Sequence, residues 1–141
     1  YRGRLDPRAD QFISHAVNNH PIAVYGDGTQ TRCFCDVRDT VVALDKLADA
    51  PESYGQIINV GSDREISIRE LAEMVRKRTG SSSSIEFVPL EKAYGEAFQE
   101  TLRRRPNLEK LRRLTGFEHQ WTLERTLDDL IATMKLNKTI K

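Results

Sequence analysis

Residues 21–39, reading P-I-A-V-Y-G-D-G-T-Q-T-R-C-F-C-D-V-R-D, constrain the fold more than any other stretch of the chain. Residues 22–25 form a short apolar run, and Gly26, Asp27 and Gly28 after it read as a sharp turn, because glycine takes positive φ without steric cost. Residues 31–37 carry the β-branched, aromatic and cysteine side chains of a second short buried strand. Asp36 to Asp39 then supply the start signals of a helix. One arginine, Arg32, falls inside the second strand. A guanidinium between Thr31, Cys33 and Phe34 either meets a carboxylate in a structural ion pair or points into a cleft toward an anion, since burying it alone is costly.

Around this stretch the pattern alternates between helix and strand. Ala9, Phe12, Ile13, Ala16 and Val17 recur at helical spacing behind Pro7, and Asn18 and Asn19 suit a stop, which predicts a helix over 7–19. Val41, Val42, Leu44, Leu47 and Ala48 predict another over 38–50, ending before Pro51. Residues 54–60 read as a strand buried on both faces through Ile57, Ile58 and Val60. A brief extended piece at 65–67 leads into a capping box, Ser67 with Glu70, and a helix to about Thr79. Gly80 and Ser81 to Ser84 are a surface loop, followed by a last strand over 85–88 that Pro89 stops. Residues 90–105, with Tyr94, Phe98 and Leu102 in polar surroundings, predict a loop with helical turns lying across the domain, the kind of segment that often covers a site. Pro106 opens a short helix through Leu108, Leu111 and Leu114 that Gly116 ends. Thr122 begins the final helix, with Leu123, Leu127, Leu130, Ile131 and Met134 on its buried face and a fraying lysine-rich end at 135–141. No internal repeat is visible, and the mixture defines the α/β or α+β class.

Length and charge exclude several functions. At 141 residues the chain suits one domain with a real core. No apolar run approaches the 18 residues that a bilayer requires, so no membrane partner is expected. Twenty-two basic residues against 21 acidic ones give a formal net charge of +1, which removes any bulk electrostatic case for nucleic acid. The start, Tyr1-Arg2-Gly3-Arg4, has no apolar segment suited to a secretion signal. With Cys33 and Cys35 expected as reduced core thiols on one strand face, a cytoplasmic location is the simplest account.

Other chemistry-bearing residues leave open readings. Cys33, Cys35, His15, His20 and His119 do not match structural zinc spacings, so no metal is expected. No base is placed beside either thiol for nucleophilic catalysis. Arg103-Arg104-Arg105 before Pro106 reads as a solvated loop face, as a weak nucleic-acid patch, or as a phosphate contact that could close with Arg32 on a diphosphate. The Gly26-Asp27-Gly28 turn fits neither GxGxxG nor GxxxxGKS, so no dinucleotide fingerprint is present.

The same residues carry a resemblance. Val24-Tyr25-Gly26, Gly28, Gln30-Thr31-Arg32-Cys33-Phe34 and Val37-Arg38-Asp39 resemble the substrate-binding half of the extended short-chain dehydrogenase/reductase superfamily, in its nucleotide-sugar epimerases, dehydratases and decarboxylases. The likeness continues through Asn59-Val60-Gly61-Ser62, Glu65 to Ile68, Glu70-Leu71-Ala72, Phe87-Val88-Pro89, Ala93-Tyr94-Gly95, Arg103 to Pro106 and Gly116-Phe117. UDP-glucuronate decarboxylase-like and UDP-glucose 4-epimerase-like members are the nearest in pattern. Three features depart from it: Asn107 stands where aspartate is common, Asp36 where an aromatic or histidine is usual, and residues 1–10 differ from the family's pattern.

The resemblance implies an α/β fold for residues 1–141, a small C-terminal nucleotide-sugar-binding domain of short strands and amphipathic helices, without the Rossmann domain. It implies that the backbone around Ala23 and Tyr25 contacts the base, that Gln30 lies in the same substrate-binding stretch, that Arg32 and Arg104 hold the two phosphates, and that Asn107 stands at the ribose. Arg105 is then expected to face solvent. No catalytic residue is implied here: Tyr1, Tyr25, Tyr54 and Tyr94 are followed four residues later by Leu5, Thr29, Ile58 and Phe98, so no Tyr-x-x-x-Lys exists, and no GxxGxxG either. The chain is therefore expected to be inactive alone. NAD and an N-terminal Rossmann domain belong to the complete enzyme; a UDP-sugar or other nucleotide-sugar is the ligand, and a homodimer is a further expectation. The competing reading is a stand-alone binding or interaction module that kept the fold without its chemistry. The sugar, the base and the branch of chemistry are not legible in these residues.

Overall fold

A computed structural model describes residues 7–94 and 100–139. Residues 1–6, Phe98 with the rest of 95–99, and the last two lysine-tail residues, on which parts of the sequence reading fall, lie outside the described residues. Helix α1 (Pro7–Val17) starts at a proline, whose fixed φ suits a first helical position. It buries Ala9, Phe12, Ile13 and Ala16, the expected i, i+3, i+4, i+7 face. Asn19 follows in the left-handed region at φ 54°, and its side-chain oxygen accepts from Ser81 and Ser82, which fastens the serine loop to the end of α1.

Strand β1 (Ile22–Tyr25) and strand β4 (Ile85–Val88) form a parallel pair, with Ile22 opposite Ile85 and Tyr25 opposite Val88. Strand β2 (Thr31–Cys33) and strand β3 (Glu65–Ser67) form a separate antiparallel pair, with Thr31 opposite Ser67 and Cys33 opposite Glu65. The second strand is thus shorter than 31–37, because Asp36 turns the chain into helix α2 (Val37–Ala48) as its N-cap, accepting from the Arg38 amide at 2.9 Å. Helix α3 (Ile68–Thr79) carries the expected capping box: Ser67 Oγ accepts from the Glu70 amide, and the Glu70 carboxylate accepts from the Ser67 amide. Short α4 (Leu90–Tyr94) supplies the helical turns expected after Pro89, and Leu102 and Arg103 lie along the edge of β2, where Leu102 O accepts from the Thr31 amide at 2.8 Å.

Helix α5 (Glu109–Thr115) begins three residues after Pro106, since Asn107 Oδ1 takes the Glu109 amide and fixes the start there; Gly116 ends it at φ 60°. Helix α6 (Leu123–Thr139) runs through much of the lysine-rich stretch instead of fraying at Lys135. The main core joins α1, β1, α3 and α6 through Phe12, Ile13, Val24, Leu71, Val75, Leu127 and Leu130. Each such side chain contributes about 1.5–3 kcal/mol by leaving water. A second cluster joins Ala43 of α2, Leu111 of α5 and Phe117.

The largest departure from the sequence pattern is at residues 54–60. Pro51–Ser53 is a single 3₁₀ turn, residues 54–55 turn again with Gly55 at φ 71°, and residues 56–60 belong to no regular element and have no ladder partner among the described residues. Ile58 and Val60 are half-buried against the second cluster, whereas Ile57 is 92% exposed. A strand buried on both faces is therefore not what the described residues show, because the apolar packing falls on Ile58 and Val60 and leaves Ile57 exposed.

Candidate functional site

The Gly26-Asp27-Gly28 turn brings β1 back toward β2. Asp27 Oδ1 accepts from both the amide and the hydroxyl of Thr29, an Asx turn that also holds its carboxyl below its usual range. Gly28 stands at φ 75°, with Val24 Cγ1 and the Arg69 amide nitrogen 2.9 and 3.2 Å from where a Cβ would be. Its carbonyl accepts from the Arg69 amide at the start of α3. The space beside this glycine is filled by Val24 and the start of α3.

Arg32, 8% exposed, projects from β2 and takes the structural ion pair of the two alternatives. Its Nη1 donates to the carbonyls of Thr31 (2.7 Å) and Thr101 (2.8 Å), and its Nη2 pairs with the Glu100 carboxylate. Its side chain also lines a cleft of about 630 Å³ shared with Cys33, Cys35, Thr40, Gly61, Ser62, Arg104 and Arg105. Arg8 from α1 lies at the same cleft, and among the described residues no carboxylate lines it.

The triple arginine divides by position. Arg103 is held against Glu65 through Nε (2.8 Å) and Nη2 (2.6 Å), and these hydrogen bonds, with one from the Thr31 hydroxyl, lower the Glu65 carboxyl to about 2. Arg104 and Arg105 are exposed side chains on the cleft wall. Arg105 is exposed, as expected, and it also borders the cleft beside Arg104, which a run of three arginines cannot announce. Arg8, Glu100 and Thr40 likewise carried no motif.

The cysteines are a correction: both are half-buried and free, and they line the cleft instead of joining either core cluster. Burial raises both thiols; Glu65 adds to this at Cys33, while a hydrogen bond from Thr40 opposes it at Cys35. They stay protonated at neutral pH, which makes them poor nucleophiles. No group of three or more metal-ligating side chains occurs among the described residues.

Ala23, Tyr25 and Gln30 lie together at a smaller recess of about 90 Å³, with Arg8, Phe12 and Glu100. The Ile22 and Gly26 amides donate to β4, so by the alternation of a parallel pair Ala23 and Tyr25 turn their backbone groups to the other edge. Gln30, buried, donates from Nε2 to the Tyr25 carbonyl at 2.8 Å, which fixes that edge. Arg8 is common to recess and cleft, and Glu100 joins the recess to Arg32. Asn107 stands apart, in a depression with Ile57, Asn59, Lys110 and Arg113, and its side-chain oxygen is engaged in capping α5. The structure therefore brings five of the six expected residues to two adjoining hollows and leaves Asn107 outside them.

Asp36, the residue at the family's aromatic position, is buried and spent internally: its oxygens accept from Arg38 and from the Thr126 hydroxyl. Asp39 accepts the Gln120 and Trp121 amides, and Arg38 stacks over the Trp121 ring.

The NAD dependent epimerase/dehydratase family matches this chain over residues 2–61. The UDP-N-acetyl-alpha-D-glucosaminuronate decarboxylase of Bacillus cytotoxicus is 40% identical over 121 residues, 86% of this chain and 37% of that protein. An epimerase from Methanothermobacter thermautotrophicus superposes over 99% of this chain and 39% of its own, with a TM-score of 0.82 and 26% identity. The UDP-glucuronic acid 4-epimerase of Bacillus cereus, solved with UDP-glucuronic acid and NAD, superposes over 92% of this chain and 40% of its own, with a TM-score of 0.77 and 22% identity. Fold and sequence together place these residues in the extended short-chain dehydrogenase/reductase superfamily. Within that superfamily the chain belongs to the NAD-dependent epimerase/dehydratase family. It spans less than half the length of these relatives.

Proposed function

We propose that these residues bind the nucleotide diphosphate of a nucleotide-sugar, as the substrate-binding portion of an NAD-dependent epimerase, dehydratase or decarboxylase. The observation that carries this is the shared cleft: Arg32, Arg104 and Arg105 border one hollow, and among the described residues its lining includes no acid. Its volume lies in the range of small-molecule sites. Arginine suits the task because its planar fork matches two phosphate oxygens at once. The adjoining recess, with the Ala23 and Tyr25 backbone edge, is the place for the base. UDP-sugars in the structures of relatives agree with this ligand class. NAD is assigned to the remainder of the complete enzyme, since the turn at Gly28 is filled by Val24 and Arg69. Catalysis is likewise assigned there, as this sequence contains no Tyr-x-x-x-Lys.

Calorimetric titration of UDP and UDP-glucose tests the reading. Charge-assisted contacts are worth about 1.5–3 kcal/mol, so Arg32→Ala and Arg104→Ala are each expected to weaken binding about tenfold or more. Arg113→Ala and Asn107→Ala, in the separate depression, are expected to change it less than about twofold. Equal losses at Arg104 and Arg113, or no binding of UDP at all, would overturn the assignment of the cleft.

A further inference from the structure

Residues 30–36 alternate in burial: Gln30, Arg32, Phe34 and Asp36 are buried, and Thr31, Cys33 and Cys35 between them are half-buried. The chain therefore stays extended past the end of β2 as far as Asp36, whose own backbone lies at φ −68° and ψ 138°, and Cys33 and Cys35 share one face. That face borders the arginine-lined cleft, and both thiols line it. Cys35 Sγ makes only long contacts of 3.6 Å, with Asp36 O and the Thr40 hydroxyl, so little opposes its turning toward its neighbour.

Two thiols so placed either close on each other or hold a third atom between them. Direct closure is opposed by the backbone: residues two apart on one strand face lie about 6.6 Å apart, whereas a disulfide brings its Cβ atoms to about 4 Å. An atom bonded to both sulfurs lengthens the bridge and spans the gap with the backbone in place. The surroundings decide which atom. Arg8, Arg32, Arg104 and Arg105 border the cleft, and among the described residues neither an acid nor a third metal-ligating side chain joins the cysteines, so a thiophilic cation such as Zn²⁺ is repelled and short of ligands. We propose that Cys33 and Cys35 form a dithiol site for an uncharged trivalent arsenical, captured in the cleft as a cyclic dithioarsinite. With an organoarsenic oxide, both S–H bonds and the As=O bond break and two As–S bonds form. The two protons leave with the oxygen as one water, arsenic stays trivalent and no sulfur is oxidised. Burial keeps both thiols protonated at neutral pH, which suits a condensation whose reagent oxygen, and no protein base, takes up the protons. This inference rests on the cysteines and the cleft wall and not on any phosphate contact, so it stands or falls separately from the nucleotide reading.

Phenylarsine oxide is the probe, added to the 141-residue chain in the presence of excess glutathione as a competing monothiol. Intact mass spectrometry is expected to show one phenylarsenic per chain, with both thiols lost to a thiol reagent and recovered on adding 2,3-dimercaptopropanol. Cys33→Ser and Cys35→Ser should each weaken capture by about a hundredfold or more, since the second As–S bond otherwise forms within the same chain at high effective concentration. Zn²⁺ at the same concentration should leave both thiols reactive. Capture by either serine variant as strong as by the unmodified chain would overturn the proposal, because the adduct would then need only one sulfur. A disulfide between Cys33 and Cys35 formed readily with diamide would overturn it as well, since the sulfurs would then meet directly. Protection of both thiols by Zn²⁺ in preference to the arsenical would overturn the choice of ligand.

Discussion

Thr126 Oγ1 in helix α6 donates to Asp36 Oδ2 at 2.9 Å, 90 residues away in sequence, and so ties the last helix to the residue that starts α2. The same carboxylate caps α2 through the Arg38 amide and receives Nε and Nη2 of the Arg38 guanidinium at 2.8 and 2.6 Å. Arg38 in turn reaches Asp129 and stacks on Trp121. One carboxylate therefore fixes the orientation of α2 beneath the cleft residue Thr40.

Asp36→Ala removes a helix cap, leaves the Thr126 hydroxyl with only the Thr122 carbonyl to donate to, and leaves one side of Arg38 without its acceptor. The expected loss is about 2–4 kcal/mol in a denaturant titration. Asp36→Asn keeps an acceptor for the cap and should lose roughly half as much. A loss below about 0.5 kcal/mol for the alanine variant would show that the network adds nothing net.

Acid should weaken the fold through a defined set of carboxylates. Glu124 is held at about 2, chiefly by hydrogen bonds from Arg64. Glu65 is held at about 2 by Arg103 and Thr31. Burial pushes Asp36 up, but the hydrogen bonds from Arg38 and Thr126 outweigh it and leave it lowered. Groups depressed in the folded state stabilise it above their unfolded values, and that stability is lost as pH falls through the folded ones. The urea midpoint is therefore expected to hold above pH 4.5, the ordinary value for glutamate, and to fall from there toward about 2. Glu124→Gln should flatten part of that slope, and an unchanged slope in this variant would remove Glu124 from the account.

Much of this arrangement was legible in residue pattern, and the failures have a common cause. The helical faces of α1, α3 and α6, the Ser67 and Glu70 cap and the turn at Gly26 and Gly28 depend on neighbours within a few residues, so local chemistry announces them. Residues 54–60 misled because apolar pattern reports what a segment can bury, whereas pairing depends on a sheet that must be present. Arg32 was legible as a residue in need of an anion, yet its partner Glu100 lies 68 residues on in a segment with no periodicity. The two cysteines read as core and yet line a cleft, because which residues face it is decided by the convergence of β2, the stretch at Gly61 and the arginine run.

Gly28 and Gly80 offer a matched comparison. Both have positive φ, at 75° and 68°, but a Cβ on Gly28 would meet Val24 and the Arg69 backbone, while nothing lies within 4 Å of one on Gly80. Gly80→Ala is expected to cost about 1 kcal/mol from backbone strain alone. Gly28→Ala adds a clash with a buried valine and a helix start that cannot yield, so about 2 kcal/mol or more is expected. Equal melting temperatures for the two variants would mean that the turn relaxes freely on α3.

Arg32 is placed where it serves stability and binding together, and the two can be separated. Arg32→Ala leaves the Glu100 carboxylate largely buried and unpaired and frees the Thr101 carbonyl, so about 2–4 kcal/mol of stability should be lost along with UDP affinity. Arg104→Ala, at an exposed side chain of the same cleft, should lose affinity with stability unchanged within about 0.5 kcal/mol. Arg32→Lys keeps a charge for Glu100 but not the fork that spans two carbonyls and a carboxylate, so it should recover part of the stability and little of the affinity. In the double variant Arg32→Ala with Glu100→Ala, removing the orphaned carboxylate should restore much of the melting temperature without restoring UDP binding. If the double variant is as unstable as Arg32→Ala, the cost comes from the two carbonyls and not from the ion pair. If it binds UDP as the unmodified chain does, Arg32 contributes to this cleft only as a structural member.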